Sequence, residues 1–308
     1  MKKVVTLICV FSFLITIFSG SVFAAQSKDS SLSDDLVLYD YKTQTETLIS
    51  KETVASYSEI YSSTDKLLVE KNIIREVSEF ATKPQVGTKS IIGLDARVPT
   101  PPTSDPYSGV MLLSMRVVSP EGEEYVSQAT GFLVAPNVLV SCAHSLVYTG
   151  TDRVIEMKVY ANVHQASLNG CDYVHPESWI YSTAYLDNPN DRKNDWVVIK
   201  LQENISGYYF TCTPNRVSVG TPCYISGYPG DHNYYQYTSE GYLYCYSATD
   251  VAHYTNDTVG GMSGAPVYTD SNICFAIHTS GTADGVTNSG CPITQGVYDS
   301  ICYVIDNS

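Results

Sequence analysis

"GFLVAPNVLVSCAHSL", residues 131–146, is the stretch on which the fold turns. Apolar and β-branched runs flank Pro136-Asn137, so it reads as strand, turn, strand. His144 follows where the second run ends, which sets an imidazole at a strand end facing a cleft. A lone histidine there serves structure as readily as chemistry. Its meaning depends on what the rest of the chain supplies.

The surrounding texture is uniform from Ser90 onward. Runs such as "GVMLLSMRVV", "DWVVIKL" and "PCYISGYP" are rich in β-branched and aromatic residues, and Gly, Pro, Asn and Asp separate them. Many short strands without a sustained 3.6-residue pattern imply an all-β barrel or sandwich. Residues 90–308 carry 8 Lys+Arg against 21 Asp+Glu. So acidic a surface argues against nucleic acid or anionic membrane as partners. The 25 tyrosines are spread widely and read as ordinary strand residues rather than a carbohydrate-binding face.

The segment before residue 90 differs. Lys2 and Lys3 precede an apolar run from Val4 to Phe18, and Val22-Phe23-Ala24 forms a signal-peptidase site. The run is shorter than the roughly 20 residues a membrane span needs. Residues 1–24 are therefore expected to be a signal peptide, and the protein to be secreted. "TDKLLVEKNIIREVSEF", residues 64–80, spaces its apolar positions as an amphipathic helix with Thr64 as N-cap. "ATKPQVGTK" then reads as an exposed linker. Eight of the nine cysteines lie between Cys142 and Cys302, an even number that suggests disulfides in an exported domain. With no CxxC pair and no His-x-x-x-His spacing, no metal site and no cofactor are expected.

"NDTVGGMSGAP", residues 256–266, sets Ser263 among Gly260, Gly261 and Gly264. A serine hydroxyl is a weak nucleophile that needs a base, itself oriented by a third group. His144 is the base by context. Asp195, in "NDWVVIKL", precedes a buried run, where a carboxylate must find a partner. Asp187 and Asp191 in the same loop compete with it. The order His144, Asp195, Ser263 excludes the subtilisin order Asp, His, Ser. The α/β-hydrolases are excluded too, since they require Ser first and a GxSxG turn, whereas Ala265 stands at the last position. The chymotrypsin order remains.

"VSCAHSL", "NDWVVIKL" and "GGMSGAPVY" resemble the three catalytic blocks of the trypsin-like fold, and "SGYPGD" and "IHTSG" narrow the resemblance to the bacterial glutamyl endopeptidases of the V8-like, Bacillus type. "SIIGLDAR" after Lys89 is similar to the start of the mature Bacillus-type members. The resemblance implies two six-stranded antiparallel β-barrels with the active site between them. It also implies a partly helical propeptide at residues 25–89 and a protease domain at residues 90–308. It assigns His144, Asp195 and Ser263 to catalysis and the N–H groups of Gly261 and Ser263 to an oxyanion hole. His278 and Thr258 would bind a P1 glutamate, with Thr279, Ser280 and Gly281 pairing the substrate strand. The amine freed at Ser90 would help to hold the carboxylate. Partners are then protein or peptide substrates, met by a monomer with no membrane contact once the signal is removed.

Two features depart from the family. Met262 stands where trypsin-like zymogens place an Asp that pairs with the new N-terminus, and Cys142 lies two residues before the histidine rather than after it. Asp257, six residues before Ser263, occupies the position where trypsins bind Lys or Arg, so basic specificity is the alternative to glutamyl. A catalytically silent binding module of the same fold is a further alternative, although no triad member is missing.

Overall fold

The computed structural model describes residues 35–62, 86–87, 91–148, 152–282 and 285–308. The expected signal peptide, the helix read at residues 64–80, and both Lys89 and Ser90 lie outside them. Ahead of the main domain, β1 (Leu36–Asp40) and β2 (Thr45–Ile49) form a hairpin, followed by helix α1 (Lys51–Ser62). Two short strands come next, β3 (Val86–Gly87) and β4 (Val98–Pro99).

The first half contains β5 (Val110–Val118), β6 (Glu124–Ala135), β7 (Val138–Ser141), β8 (Arg153–Tyr160), β9 (Pro176–Ser182), the short α2 (Thr183–Asp187) and β10 (Val197–Leu201). The second contains β11 (Thr211–Cys212), β12 (Pro222–Gly227), β13 (Tyr237–Tyr246), β14 (Ala252–Tyr254), β15 (Pro266–Thr269), β16 (Ile273–Thr282) and β17 (Asn288–Pro292). Helix α3 (Gln295–Asp306) ends the chain.

The fold is all-β and chymotrypsin-like, with one difference from the expectation of two closed barrels. In the second half the strands run β16-β15-β12-β13-β14-β17, and β17 pairs back onto β16, which closes six strands into a barrel. The first sheet runs β2-β1-β9-β10-β7-β6-β5-β8 and stays a curled half-barrel. Its edge strand β8 reaches only an isolated bridge, Val159 to Val174, ahead of β9. The outer edge of β9 is already used, because β1 pairs with it from Leu36–Ser182 to Asp40–Ser178. A strand edge has one row of donors and acceptors, so it takes one neighbour.

Strand β5 shows why its sequence is apolar at nearly every position rather than alternating. Met111, Leu113 and Met115 face the core of the first sheet with Leu133, Leu139 and Val197. Val110 and Leu112 face the opposite way, into the seam with Tyr228, Tyr268 and Ile277 of the second half. A strand covered on both faces has no solvent side to mark. Helix α3 closes the seam with Val297, Ile301 and Val304, starting from an N-cap in which Thr294 Oγ1 accepts from the Val297 N–H.

Residues 35–62 are built into this domain. Leu36, Val37 and Val54 are buried, and Tyr57 meets Tyr303 of α3 edge-on at 5.0 Å. Burying three such aliphatic side chains is worth about 1.5–3 kcal/mol each. A Ser263→Ala form of the chain that keeps this segment should therefore melt above residues 90–308 alone. Differential scanning calorimetry should show a gap of at least about 5 °C.

Candidate active site

Three elements deliver the chemistry to one point. β7 ends at Ser141, and a single 3-10 turn, Ala143–Ser145, then carries His144. Another such turn, Arg192–Asn194, ends at Asp195 immediately before β10. Because β7 and β10 are paired, with Ser141 opposite Val197, these two ends are neighbours by register. Ser263 arrives from the second half, two residues after Gly261 and just ahead of β15.

The distances form one continuous line. His144 Nδ1 lies 2.8 Å from Asp195 Oδ2, and His144 Nε2 lies 2.8 Å from Ser263 Oγ. Asp195 Oδ1 also accepts the backbone N–H of His144 at 2.8 Å, which fixes the carboxylate in two directions. Asp195 is fully buried, whereas the His144 side chain is 29% exposed. The competing Asp191 lies 3.6 Å from Lys193 Nζ and 3.4 Å from Asn194 Nδ2, away from this line. Asp187 is the last residue of α2.

One member of this cluster escaped the sequence reading. Arg192 Nη1 donates to Asp195 Oδ2 at 2.8 Å, so the guanidinium and the imidazole share a single carboxylate oxygen. Its spacing, three residues before Asp195 across a turn, was the available signal. Burial alone would raise the Asp195 pKa, but the His144 imidazole and then Arg192 outweigh it, so the carboxyl stays below its ordinary range. Burial is the largest single influence on His144 and pushes it down, but the charge and hydrogen bond of Asp195 together with those of Cys142 outweigh it and hold the imidazole above its ordinary value.

The loop around Ser263 needs glycine at two of its three positions. Gly261 has φ +94° and Gly264 has φ +84°, the left-handed region. A Cβ on Gly261 would stand 2.5 Å from the Tyr228 carbonyl oxygen, and one on Gly264 would strike Ser141 Oγ and the Thr130 carbonyl. Gly260 has open space around it and no such φ, so the backbone requirement falls on Gly261 and Gly264.

The residues expected to bind the P1 side chain both lie in the second half, Thr258 between β14 and β15 and His278 in β16. His278 and Thr258 are both fully buried, and His278 Nδ1 lies 2.7 Å from the hydroxyl of Tyr254, a partner not anticipated from sequence. Thr258 Oγ1 is buried with no hydrogen-bond partner among the described residues. Thr279, Ser280 and Gly281 lie along β16, and β3 pairs antiparallel with its end, Gly87 opposite Gly281 and Val86 opposite Thr282. The edge expected to receive a substrate strand is therefore occupied by residues just ahead of Lys89.

Asp257 has a different job from the trypsin one. Its Oδ1 accepts the Ile92 N–H at 2.6 Å and its Oδ2 the Ala96 N–H at 2.8 Å. Both oxygens thus clamp the chain that follows Lys89. Arg97 continues the anchor, held bidentately by Asp231 at 3.0 and 2.7 Å and also by Asp95. Met262, at the position of the zymogen aspartate, is buried in the apolar core of the second barrel.

Cys142, Cys171, Cys212, Cys223, Cys274, Cys291 and Cys302 form no disulfide with one another in the structure, where the even number of cysteines suggested bridges. Cys212 stands opposite Cys274 across a parallel pair. Cys142 is buried beside the triad, its Sγ 3.7 Å from His144 Nε2 and 2.9 Å from Ser145 Oγ.

Two β-halves meeting at an aligned Asp-His-Ser line define the class of trypsin-like serine peptidases. Comparison with known proteins agrees. The trypsin-like peptidase domain family matches residues 129–277. A glutamyl endopeptidase of Bacillus licheniformis is 26% identical over 301 residues, 90% of this chain and 88% of that one. A Bacillus subtilis protein named extracellular metalloprotease is 30% identical over 228 residues, 70% of this chain and 69% of that one. Among solved structures, a Glu endopeptidase in complex with MPD matches with TM-score 0.57 and 25% identity, over 69% of this chain and 97% of that one. The protease Anisep of Arthrobacter nicotinovorans, at TM-score 0.53, 12% identity and coverage of 68% and 98%, shares the fold. The chain belongs to the trypsin-like serine peptidases.

The shared oxygen yields a prediction about pH. Only neutral His144 can accept the Ser263 proton, so reaction of Ser263 with a fluorophosphonate should fall as pH drops through the raised His144 pKa. Arg192 places a positive charge near the imidazolium and opposes its formation. Arg192→Gln should therefore move the acid limb to higher pH, measured as the labelling rate between pH 5 and 10.

Proposed function

We propose that this protein is a secreted glutamyl endopeptidase that hydrolyses peptide bonds through an acyl-enzyme on Ser263. His144 acts as general base and then general acid, and Asp195 holds its tautomer and stabilises the imidazolium. The oxyanion hole is formed by the N–H groups of Gly261 and Ser263. Backbone geometry supports this choice, since the carbonyls of Gly260 and Met262 accept from Gly230 and Ala265. Across a trans peptide the N–H points opposite to its carbonyl, so the two donors face away from those contacts. Each such donor contributes a few kcal/mol to the transition state, about 2.7–4 where one has been removed.

The observation that carries the glutamyl reading is the fully buried Thr258 hydroxyl, which has no hydrogen-bond partner among the described residues, together with the equally buried His278. A buried hydroxyl without a partner costs about 1–3 kcal/mol, a cost that an incoming carboxylate removes. With the Tyr254 hydroxyl donating to His278 Nδ1, the neutral ring carries its own proton on Nε2, a donor suited to a carboxylate. Burial holds the Tyr254 pKa well above its ordinary value, so it remains a donor. Asp257, with both oxygens engaged by backbone, has no place for a substrate Lys or Arg.

Matched chromogenic substrates ending in Glu, Asp, Arg and Phe test this reading. Glu should lead, Asp should follow, and His278→Ala should lower kcat/KM for Glu by up to about 10⁴-fold, the scale of a lost polar match. Preference for Arg, removed by Asp257→Ser, would overturn it. Ser263→Ala, His144→Ala and Asp195→Asn should each lower kcat by roughly 10⁴–10⁶ with the fold retained. Inactivation by phenylmethylsulfonyl fluoride and survival in EDTA would separate this mechanism from metal-dependent hydrolysis.

Residues 25–89 are the propeptide in this reading, released by a different protease because Lys89 suits a glutamyl pocket poorly. The pairing of β3 with β16 supports a blocked precursor, since residues 86–87 lie on the substrate edge. N-terminal sequencing of the extracellular form should read Ser-Ile-Ile-Gly. Full activity with a different start would refute this maturation step.

A further inference from the structure

Cys142 has no part in the hydrolysis described above, yet its sulfur stands 3.7 Å from the ring nitrogen that faces Ser263. Cys142 Sγ, His144 and Asp195 bring a thiol, an imidazole and a carboxylate within 4.8 Å of one another. Zinc takes thiolate at about 2.3 Å and imidazole at about 2.0–2.1 Å, so at a tetrahedral angle the two donor atoms lie about 3.6 Å apart. Cys142 Sγ and His144 Nε2 are 3.7 Å apart. The remaining contacts also suit a metal. Asp195 Oδ2 holds Nδ1 of the same ring at 2.8 Å, which is the carboxylate-histidine arrangement that orients zinc-bound imidazoles and raises their basicity. Ser263 Oγ, 2.8 Å from Nε2, lies within reach as a third donor, the first through oxygen, with water completing the shell.

We propose that Cys142 and His144 form an inhibitory site for thiophilic divalent cations of the Zn²⁺ and Cd²⁺ class. The inhibition rests on the reading of His144 as the base, whereas the binding itself does not. On binding, the Cys142 thiol loses its proton to solvent and the thiolate bonds to the metal. The Nε2 lone pair that would accept the Ser263 proton bonds to the metal instead. No electron transfer is involved, and the enzyme recovers when a chelator removes the ion. The open edge of the His144 ring, 29% exposed, offers the entry path to an otherwise buried sulfur. The spacing Cys-x-His within "SCAH" supplies both donors from one turn.

Two measurements on the active enzyme and on its Ser263→Ala form test the site. In the first, ZnCl₂ is titrated against hydrolysis of a Glu substrate, and each variant is compared with its own uninhibited rate. Wild type should be inhibited reversibly, and Cys142→Ala and Cys142→Ser should raise the inhibition constant at least about tenfold, since even an outer-shell partner is worth 10–100-fold in metal affinity. In the second, CdCl₂ is added to Ser263→Ala, and the ultraviolet thiolate-to-cadmium band should saturate at one equivalent. That band should be lost when either Cys142→Ala or His144→Ala is added. It reads binding without turnover, so a protein with no peptidase activity but with the band would refute the functional reading and keep the site. Equal zinc inhibition of wild type and Cys142→Ala would overturn the proposal. So would absence of the band in the parent, or its survival in Cys142→Ala.

Discussion

The Asp195 carboxylate is the constraint around which the site is assembled. It is fully buried at the start of a core strand, and a charge there needs partners on every accessible lone pair. It has three donors: the backbone and ring of His144 and the guanidinium of Arg192. Removing one partner from a buried ion pair commonly costs about 3–5 kcal/mol. Stability and ring orientation therefore have the same origin. The aspartate is held because the imidazole must face it, and once so held the imidazole presents Nε2 to Ser263.

The second half is tied to this point by backbone contacts rather than by charge. The Thr130 N–H donates to the Ser263 carbonyl and Thr130 Oγ1 to the Gly261 carbonyl, while Ser141 Oγ donates to the Thr130 carbonyl. Thr130 in β6 thus links the serine loop to the strand that carries His144. This close approach is also why Gly264 tolerates no side chain, since its Cβ would enter the same three-way contact. Packing around the nucleophile and alignment of the triad are one requirement seen from two halves of the molecule.

Much of this was legible in the sequence, for identifiable reasons. The short β-rich runs, the order of His144, Asp195 and Ser263, and the glycines beside the serine are local patterns, and each reports its own backbone. What escaped depended on distant chain. Strand β9 gave no sign that β1 would cover its edge, so the first half was expected to close and instead stays curled. Asp257 sits at a trypsin-like position, but its partners, Ile92 and Ala96, lie more than 160 residues earlier, and no spacing rule reaches them. Tyr254 meets His278 only because β14 and β16 both pair with β17. Helix α1 was missed because its own pattern is weak and its burial comes from α3.

The clamp by Asp257 also bears on how such a domain matures without the usual ion pair. In a trypsin-like zymogen a freed ammonium enters the core to meet an aspartate, but Met262 fills that place with an apolar side chain. Here a carboxylate still grips the chain after the cleavage point, through two backbone N–H groups that exist before and after cutting alike. Arg97, bridging Asp95 and Asp231, fixes the same segment from the other side. The proposed cleavage therefore need not build this anchor, because the uncut chain already has it. What cutting can change is the strand edge at Gly281 and Thr282, which Gly87 and Val86 occupy until the chain ahead of Ser90 is free to leave. In the proposed maturation, activation is a matter of vacating a strand edge that the structure already presents.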